Sequence, residues 1–539
     1  MSLSAAGPFA GAARAQATPD FGPALAAIRA HALAHQATYG LPGMTVGLIA
    51  PDGFATSFDI GYANLDARRP ATRDTLWQVG SISKLMTALI VHQLAAEGKF
   101  ALSDPIAKLL PEVPVPAEAG ITVQHLLDHT AGLPGDAPLF PEGGLWVGFK
   151  PGTHWSYSNT AYDILGKLSE QAGGKPLARL VKERLFDSLG MKNTRGAIVA
   201  EDRVRSAQGY EPTNNSFPFV RGTAIAPAGW VDVTFGAGNV TSTAEDMNRL
   251  LRAIASAAKG GALPGLDVAQ TKAFLTHSAP ASTGMRYGNG FMHVSSAGRA
   301  YLHHTGGMVA FSSAFHLDPA TGAAAFASSS LSGLAGYRPR ELTRFAVDTL
   351  DAAFAGRPLP APPRLDDRVA NPAQYLGRYA GPAGAFEIVQ QGPLTLRANG
   401  RSAMLQSAGD DLFRTAHPDF ARYALMFERS GGPISGASWG PAQYVKAGSG
   451  AAPRPSDPAL AKLAGRYVND SPWWGVIEIV ERGGRLWMGT DVPVLAIGPK
   501  LWRVGNESWS PERAAFEDPI GGRPQTFMFS GEKFIRHDI

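Results

Sequence analysis

The chain has 539 residues and a mass of 56.7 kDa, too long for one ordinary domain and enough for two to four. Hydrophobic residues make up 45% and charged residues 17%, without long single-sign runs, which excludes a disordered chain. A formal charge of +4, from 49 Lys+Arg against 45 Asp+Glu, is too diffuse for a nucleic-acid partner; the absence of cysteine excludes disulfides, thiolate nucleophiles and cysteine-ligated metals.

The N-terminal stretch MSLSAAGPFAGAARAQATPD is rich in small residues and contains Ala-Arg-Ala-Gln-Ala at 13 to 17, the composition of a secretory cleavage region. It lacks a basic start, and Gly7 and Pro8 break its apolar run. Residues 1–19 therefore read as a signal-like leader or a disordered tail. A leader predicts a periplasmic or secreted protein; a tail leaves the cytoplasm open. No segment offers 18 consecutive apolar residues, so no membrane span is expected.

PGMTVGLIA and FATSFDIGYA read as adjacent strands joined by Asp52-Gly53, and SKLMTALIVHQLAAEG as a mostly apolar, buried helix ended by Gly98. A helical middle follows, in TVQHLLDHT, TAYDILGKLSEQAGG and AEDMNRLLRAIASAAKGG. From 287 to 330 the pattern returns to strands, in YGNGFMHV, AYLHHTGG, AFSSAFHLD and AAAFASSS. Strands at both ends with helices between predict an α+β domain over 20–355, built on one antiparallel sheet whose N- and C-terminal strands meet.

Two proline-rich linkers, 356–372 and 448–458, separate this domain from two smaller ones at 373–447 and 459–539. The small domains look like a degenerate repeat: YLGRYAG and LAGRYVN open them, FEIVQQGPLTLRANG and IEIVERGGRLWMGT follow, and YALMFER and TFMFSGE are expected to close them. Short alternating strands between Gly, Asn and Asp turns predict small antiparallel β-barrels or sandwiches.

Ser81-Ile82-Ser83-Lys84 is an S-x-x-K pattern, but Ser256 to Lys259 and Ser530 to Lys533 match it too. Only Ser81 enters its helix at the N-terminus. It can be an ordinary N-cap. A capping box would want Glu or Gln three residues later, and the sequence has Lys84, whose charge opposes the helix dipole. The alternative makes Ser81 a nucleophile and Lys84, one turn away and lowered in pKa by burial and the dipole, its base.

Tyr157-Ser158-Asn159 places a phenol and a carboxamide just before a helix, as a packing residue or as a proton relay with a substrate ligand. Tyr62, Tyr287 and Tyr467 stand in the same pattern. His304-Thr305-Gly306-Gly307 is either a glycine turn in a hairpin or a strand end allowing close approach of substrate to backbone. His125 and His129, four apart on a helix, lack H-E-x-x-H and a third ligand, so a structural role is expected. No metal and no cofactor is implied.

In this order, LWQVGSISK, LSDPIAKLLPE, ITVQHLLDHTAGLP, YSNTAYDILG, GAGNVTSTAEDM and HTGG resemble the serine β-lactamase and penicillin-binding-protein superfamily, in its class C, D-aminopeptidase and family VIII esterase branch. The resemblance covers roughly residues 20 to 350. It implies a β-lactamase-like fold, with an antiparallel sheet flanked by helices and a helical subdomain. It also implies Ser81 as acylated nucleophile, Lys84 as base, Tyr157 as proton relay, Asn159 as substrate ligand, His304 as first residue of the third motif beside Gly306 and Gly307, and the amides of Ser81 and Gly307 as oxyanion hole. β-Lactamases and DD-peptidases usually carry lysine where His304 stands, and a neutral imidazole is a poorer carboxylate anchor. Histidine there, with two appended barrels, resembles the D-aminopeptidases, whose last barrel lends a loop to the site; the Trp473-Trp474 and Asp491 regions are candidates for it.

The expectation is a serine hydrolase of small or unusual peptides, containing D-residues or derived from linearised cyclic peptides. The alternatives are a family VIII-type carboxylesterase, then a β-lactamase or DD-carboxypeptidase, and, from another class, a non-catalytic binding protein on the same scaffold. The expected partner is a small peptide, amide or ester substrate.

Overall fold

The computed structural model describes residues 20–214, 217–231, 235–365, 367 and 369–537, so the leader expected at 1–19 lies outside the described residues. Strands β1 (Gly43–Ile49), β2 (Ala55–Asn64) and β3 (Arg69–Pro70) open a nine-stranded sheet. It is completed by β4 (Ala279–Ser282), β5 (Met285–Gly288), β6 (Phe291–Ser296), β7 (Arg299–Met308), β8 (Phe311–Leu317) and β9 (Ala324–Ser329). The order is β3-β2-β1-β9-β8-β7-β6-β5-β4. The first and last strands of the domain pair in antiparallel register from Met44↔Ser329 to Ile49↔Ala324, as the sequence predicts.

Every residue of β1 and β9 is buried, because helices cover both faces of the sheet. Helices α1 (Gly22–Tyr39) and α5 (Pro339–Phe354) close one face over Met44, Val46 and Leu48. On the other face lie α2 (Ser83–Ala96), α3 (Asn159–Gly173) and α4 (Ala244–Ala258), which form one core with Ile49 and Phe326. Helix α2 is apolar nearly all round and buried nearly all round, which makes it a central post of the domain.

Each C-terminal segment is a closed eight-stranded antiparallel barrel, not a sandwich. The first runs from Gly377–Gly381 to Ala442–Lys446 and the second from Gly465–Val468 to Glu532–Arg536. Closure brings Tyr379 opposite Lys446 and Tyr467 opposite Arg536. The repeat is visible in atomic detail: the Tyr379 hydroxyl donates to the Tyr375 carbonyl and the Tyr467 hydroxyl to the Leu463 carbonyl, both over four residues and both at 2.8 Å.

The expected closing strands differ. YALMFER forms Leu425–Arg429 and two more strands follow it; TFMFSGE lies in Arg523–Phe529 and one more follows. Turns with left-handed backbone at Gly431 and Gly432 in one barrel, and at Ser530 and Gly531 in the other, return the chain for the last pairings.

Candidate active site

Helix α2 proper begins at Ser83, and Ser81 sits in the preceding 3-10 turn, Gly80–Ile82. Ser81 makes no capping bond, so its N-cap reading is set aside. The hydroxyl that ties the turn is that of Ser83, which donates to the Gly80 carbonyl at 2.6 Å and accepts from the Val240 amide at 3.0 Å. Gly80 has φ +53, and a Cβ on it would lie 2.7 to 2.9 Å from the backbone of Gly307. Only glycine allows the turn and strand β7 to touch there.

Lys84 is fully buried. Its amine lies 3.1 Å from Ser81 Oγ, 2.6 Å from Asn159 Oδ1 and 2.9 Å from the Ala237 carbonyl. A neutral amine has two N–H groups and one lone pair. Asn159 and Ala237 can only accept, which leaves the lone pair for the Ser81 hydroxyl. Burial lowers the Lys84 pKa to about 7, against the opposing pull of the Asp163 and Asp136 carboxylates. Burial also raises Asp163 to about 7, with Lys84 acting in the other direction.

Ser158 caps α3, accepting from the Ala161 amide at 3.0 Å, and so fixes both of its neighbours. Asn159 spans from Lys84 to Asp136, donating to Asp136 Oδ1 at 2.6 Å. The Tyr157 ring lies beneath the lysine, its centroid 4.8 Å from Nζ. Burial pushes the phenol above its ordinary pKa, partly offset by a hydrogen bond with Ser81, so Tyr157 holds its proton until a stronger base takes it.

His304 is buried in β7 and does not face open space. Its Nδ1–H donates to the Thr305 carbonyl at 2.5 Å, and Nε2 accepts from the Tyr287 hydroxyl at 3.0 Å. Burial, with the Lys84 charge adding to it, lowers its pKa to about 3. The histidine is therefore neutral. Gly306 and Gly307 are not a hairpin turn but continue β7, opposite Ser313 and Ser312 of β8. Pairing with β6 stops at His303, so the β7 edge from Thr305 onward is open toward the Ser81 turn.

Ser81, Asn159 and Gly307 share a cavity of about 430 Å³. The loop at 136–140 and Phe235 form one side, and the second barrel supplies Trp473, Trp474 and Glu532. Phe140, Phe235 and Trp473 are exposed there, an apolar wall beside the carboxylates of Asp136, Asp163 and Glu532. Of the two barrel regions expected near the site, Trp473-Trp474 reaches it; Asp491 is exposed elsewhere, its charge acting on Arg482.

The barrel is held by Glu512, which accepts from the Gly135 amide at 2.7 Å, and by the Pro511 carbonyl, which accepts from Trp146 Nε1 at 2.7 Å. Trp509 stacks on His154 at 4.7 Å.

The other sequence candidates have separate tasks. Ser256 lies near the C-terminal end of α4, and Lys259 donates to the Thr321 carbonyl at 2.7 Å. Ser530 donates to Glu512. Tyr287, met as one of several matches to a common pattern, is the partner of His304. His125 completes the capping box of Val123–Leu127 with Thr122. His129 packs on Tyr157 with ring centroids 4.3 Å apart.

Sequence reasoning missed Asp136, Asp163, Glu512 and Glu532. Asp163 alone carried a local signal, lying one helical turn after Asn159 on the same face.

The family model for Beta-lactamase matches residues 28–347. A beta-lactamase of Pseudomonas fluorescens is 33% identical over 184 residues, which cover 32% of this chain and 50% of the relative. Esterase EstB of Burkholderia gladioli is 33% identical over 171 residues, 26% of this chain and 43% of the relative. The chain thus spans about half the length of the curated relatives it matches. Among solved structures, an octameric penicillin-binding protein homologue from Pyrococcus abyssi matches with TM-score 0.56 at 21% identity, over 78% of this chain and 100% of that one. At that identity the likeness is one of fold.

Proposed function

Since the chain belongs to the beta-lactamase family, we propose that it is a serine hydrolase that cleaves an amide in a small or unusual peptide through an acyl-enzyme. The observation that carries the reading is the Lys84 amine, 3.1 Å from Ser81 Oγ, with its N–H groups engaged by Asn159 and Ala237. Ser81 Oγ attacks the carbonyl carbon as its proton passes to Lys84. The amides of Ser81 and Gly307 stabilise the oxyanion. Tyr157 gives its proton to the leaving nitrogen and is reprotonated from Lys84, the C–N bond breaks, and water then cleaves the ester by the same path in reverse.

A peptide substrate is supported by the carboxylates of Asp136 and Glu532 at the cavity, which favour a protonated amine. The aromatic wall favours an apolar side chain on the acyl part. Buried, neutral His304 offers no positive charge for a lactam carboxylate. The same apolar wall suits esters of apolar acids, and carboxylesterase activity is the second reading.

A fluorophosphonate probe should label the wild type and not Ser81→Ala; equal labelling would remove Ser81 from the mechanism. Anilides of D- and L-amino acids, p-nitrophenyl acetate and nitrocefin, assayed in parallel, rank the classes. Amino-acid anilides are expected to lead, and a preference for nitrocefin would refute the peptide reading.

A further inference from the structure

The three domains close a ring of contacts. The first barrel is tied to the catalytic domain by Arg414 Nη1, which donates to the Gly333 carbonyl at 2.8 Å, and by Gln406 Oε1, which accepts from the Arg221 amide at 2.8 Å. The second barrel is tied to the same domain through Glu512 and Pro511. The third side of the ring joins barrel to barrel, and at its centre is Arg482, a residue that no step of the reaction uses.

Arg482 follows the strand Val476–Glu481 of the second barrel and is only 1% exposed. Its guanidinium spans the two barrels: Nη1 donates to the Gly440 carbonyl of the first and Nη2 to the Thr490 carbonyl of the second, each at 2.8 Å. The Trp487 ring lies under it, with the centroid 4.6 Å from Cζ. Gly440 presents its carbonyl from a turn with φ +52, where a Cβ would lie 2.4 Å from the Tyr423 ring, so glycine is needed there.

Arg482 Nε is buried without a partner, and among the described residues the group has no ion pair. Burial lowers its pKa to about 10, and the Glu428 carboxylate opposes this by charge alone. The adjacent Glu481 carboxylate is taken up by the Ser456 hydroxyl and by the amides of Asp457 and Gly484. A buried guanidinium without a carboxylate partner opposes folding, and an apolar side chain of similar length would fill the space more favourably. What the planar group supplies is direction: N–H bonds at a fixed angle, one to each barrel.

We propose that Arg482 is a positioning residue that locks the two barrels together, so that the first barrel, which lines no part of the active-site cavity, sets where Trp473, Trp474 and Glu532 stand in it. The consequence rests on the hydrolase reading above; the cause rests on the ring of contacts. Two contacts along a chain of three domains leave the last one free to turn about its docking point, and a third that closes the ring removes that freedom. The docking point at Gly135 adjoins Asp136 of the cavity. A small rotation there moves the barrel wall and leaves Ser81, Lys84 and Tyr157, which belong to the catalytic domain, in place.

The test compares full-length Arg482→Met with wild type in two measurements. Hydrogen exchange followed by mass spectrometry should be at least about threefold faster in 469–475 and 132–140, with α2 unchanged. Steady-state kinetics should give kcat/KM about tenfold lower for phenylalanine p-nitroanilide, whose side chain and amine reach the barrel wall, and within about twofold of wild type for p-nitrophenyl acetate, which has neither. Arg482→Lys keeps a charged donor for one carbonyl and should show part of each change; it carries the test if the methionine variant does not fold. Exchange at the wild-type rate in both segments would overturn the proposal. Equal losses on both substrates would also overturn it, reducing Arg482 to a contribution to stability. Exchange is read without turnover, so its outcome is separate from that of the labelling test of Ser81.

Discussion

Glu512, from the second barrel, accepts a hydrogen bond from the Gly135 amide at 2.7 Å, and the carbonyl of the same glycine accepts from the Asn159 amide at 2.6 Å. One residue of the catalytic domain therefore links the barrel to the start of the helix whose first side chain touches Lys84. The other Glu512 oxygen is held by the Ser530 hydroxyl, so the carboxylate is fixed from its own side.

Glu512→Ala should lower kcat/KM about tenfold by freeing the 135–136 loop, since a hydrogen bond to a charged group contributes about 1.5–3 kcal/mol. Glu512→Gln keeps an acceptor for Gly135 and should recover most of the loss. Steady-state kinetics on both variants decide; wild-type kcat/KM in Glu512→Ala would mean that the barrel does not set the loop.

The proposed reaction needs neutral Lys84, whose pKa burial lowers to about 7. As pH falls below about 7 the amine gains its proton and kcat/KM should fall, by up to about tenfold per pH unit; above 7 the profile should level. Asp163 favours the charged amine, so Asp163→Asn should lower the Lys84 pKa further and move the acid limb down by about one pH unit. The carboxamide of that variant could still accept from the Ala237 amide, as Asp163 Oδ1 now does at 3.1 Å. An unmoved limb would show that Lys84 and Asp163 do not titrate as a pair.

His129 brackets the tyrosine: its carbonyl accepts from the Ser156 amide at 2.9 Å and its Nδ1 from the Ser158 amide at 3.2 Å. It holds this place with φ +58, and burial keeps the ring neutral, as an acceptor must be. His129→Ala should cut kcat roughly 10- to 100-fold with little change in KM, because Tyr157 loses its seat while the cavity is untouched. His129→Asn tolerates the left-handed backbone and offers an acceptor oxygen, and should restore part of the rate. A loss confined to KM would contradict a positioning role.

The neighbouring glycines of β7 should behave in opposite ways. A Cβ on Gly306 would lie 2.0 Å from the Val79 carbonyl and 2.3 Å from Ser313 Oγ, whereas one on Gly307 meets nothing within 4 Å. Gly306→Ala should push the strand away from the Ser81 turn and destabilise the domain by about 1–3 kcal/mol or more. Gly307→Ala should melt close to wild type. Thermal melts of the two variants check this, and equal melting temperatures would contradict the contact between strand and turn.

The local features were open to sequence reading because short-range geometry fixes them. The mostly apolar run of SKLMTALIVHQLAAEG made α2 a buried helix, Asp52-Gly53 joined two adjacent strands, and the i, i+3 spacing put Lys84 one turn from Ser81. The GRY repeat foretold two like domains because the same tyrosine makes the same bond in each. Other choices needed neighbours distant in sequence. YALMFER and TFMFSGE read as closing strands because nothing local says how many strands a barrel needs. HTGG read equally as turn or strand until β8 paired with it. The sequence by itself pointed to the chemistry proposed above, since Ser81, Lys84, Tyr157 and Asn159 stand in local frames that their own segments build. Only the tertiary structure decided what surrounds that chemistry. Asp136, Asp163 and Glu532 come from segments that no periodicity connects, and only helix packing and barrel docking bring their carboxylates to one cavity.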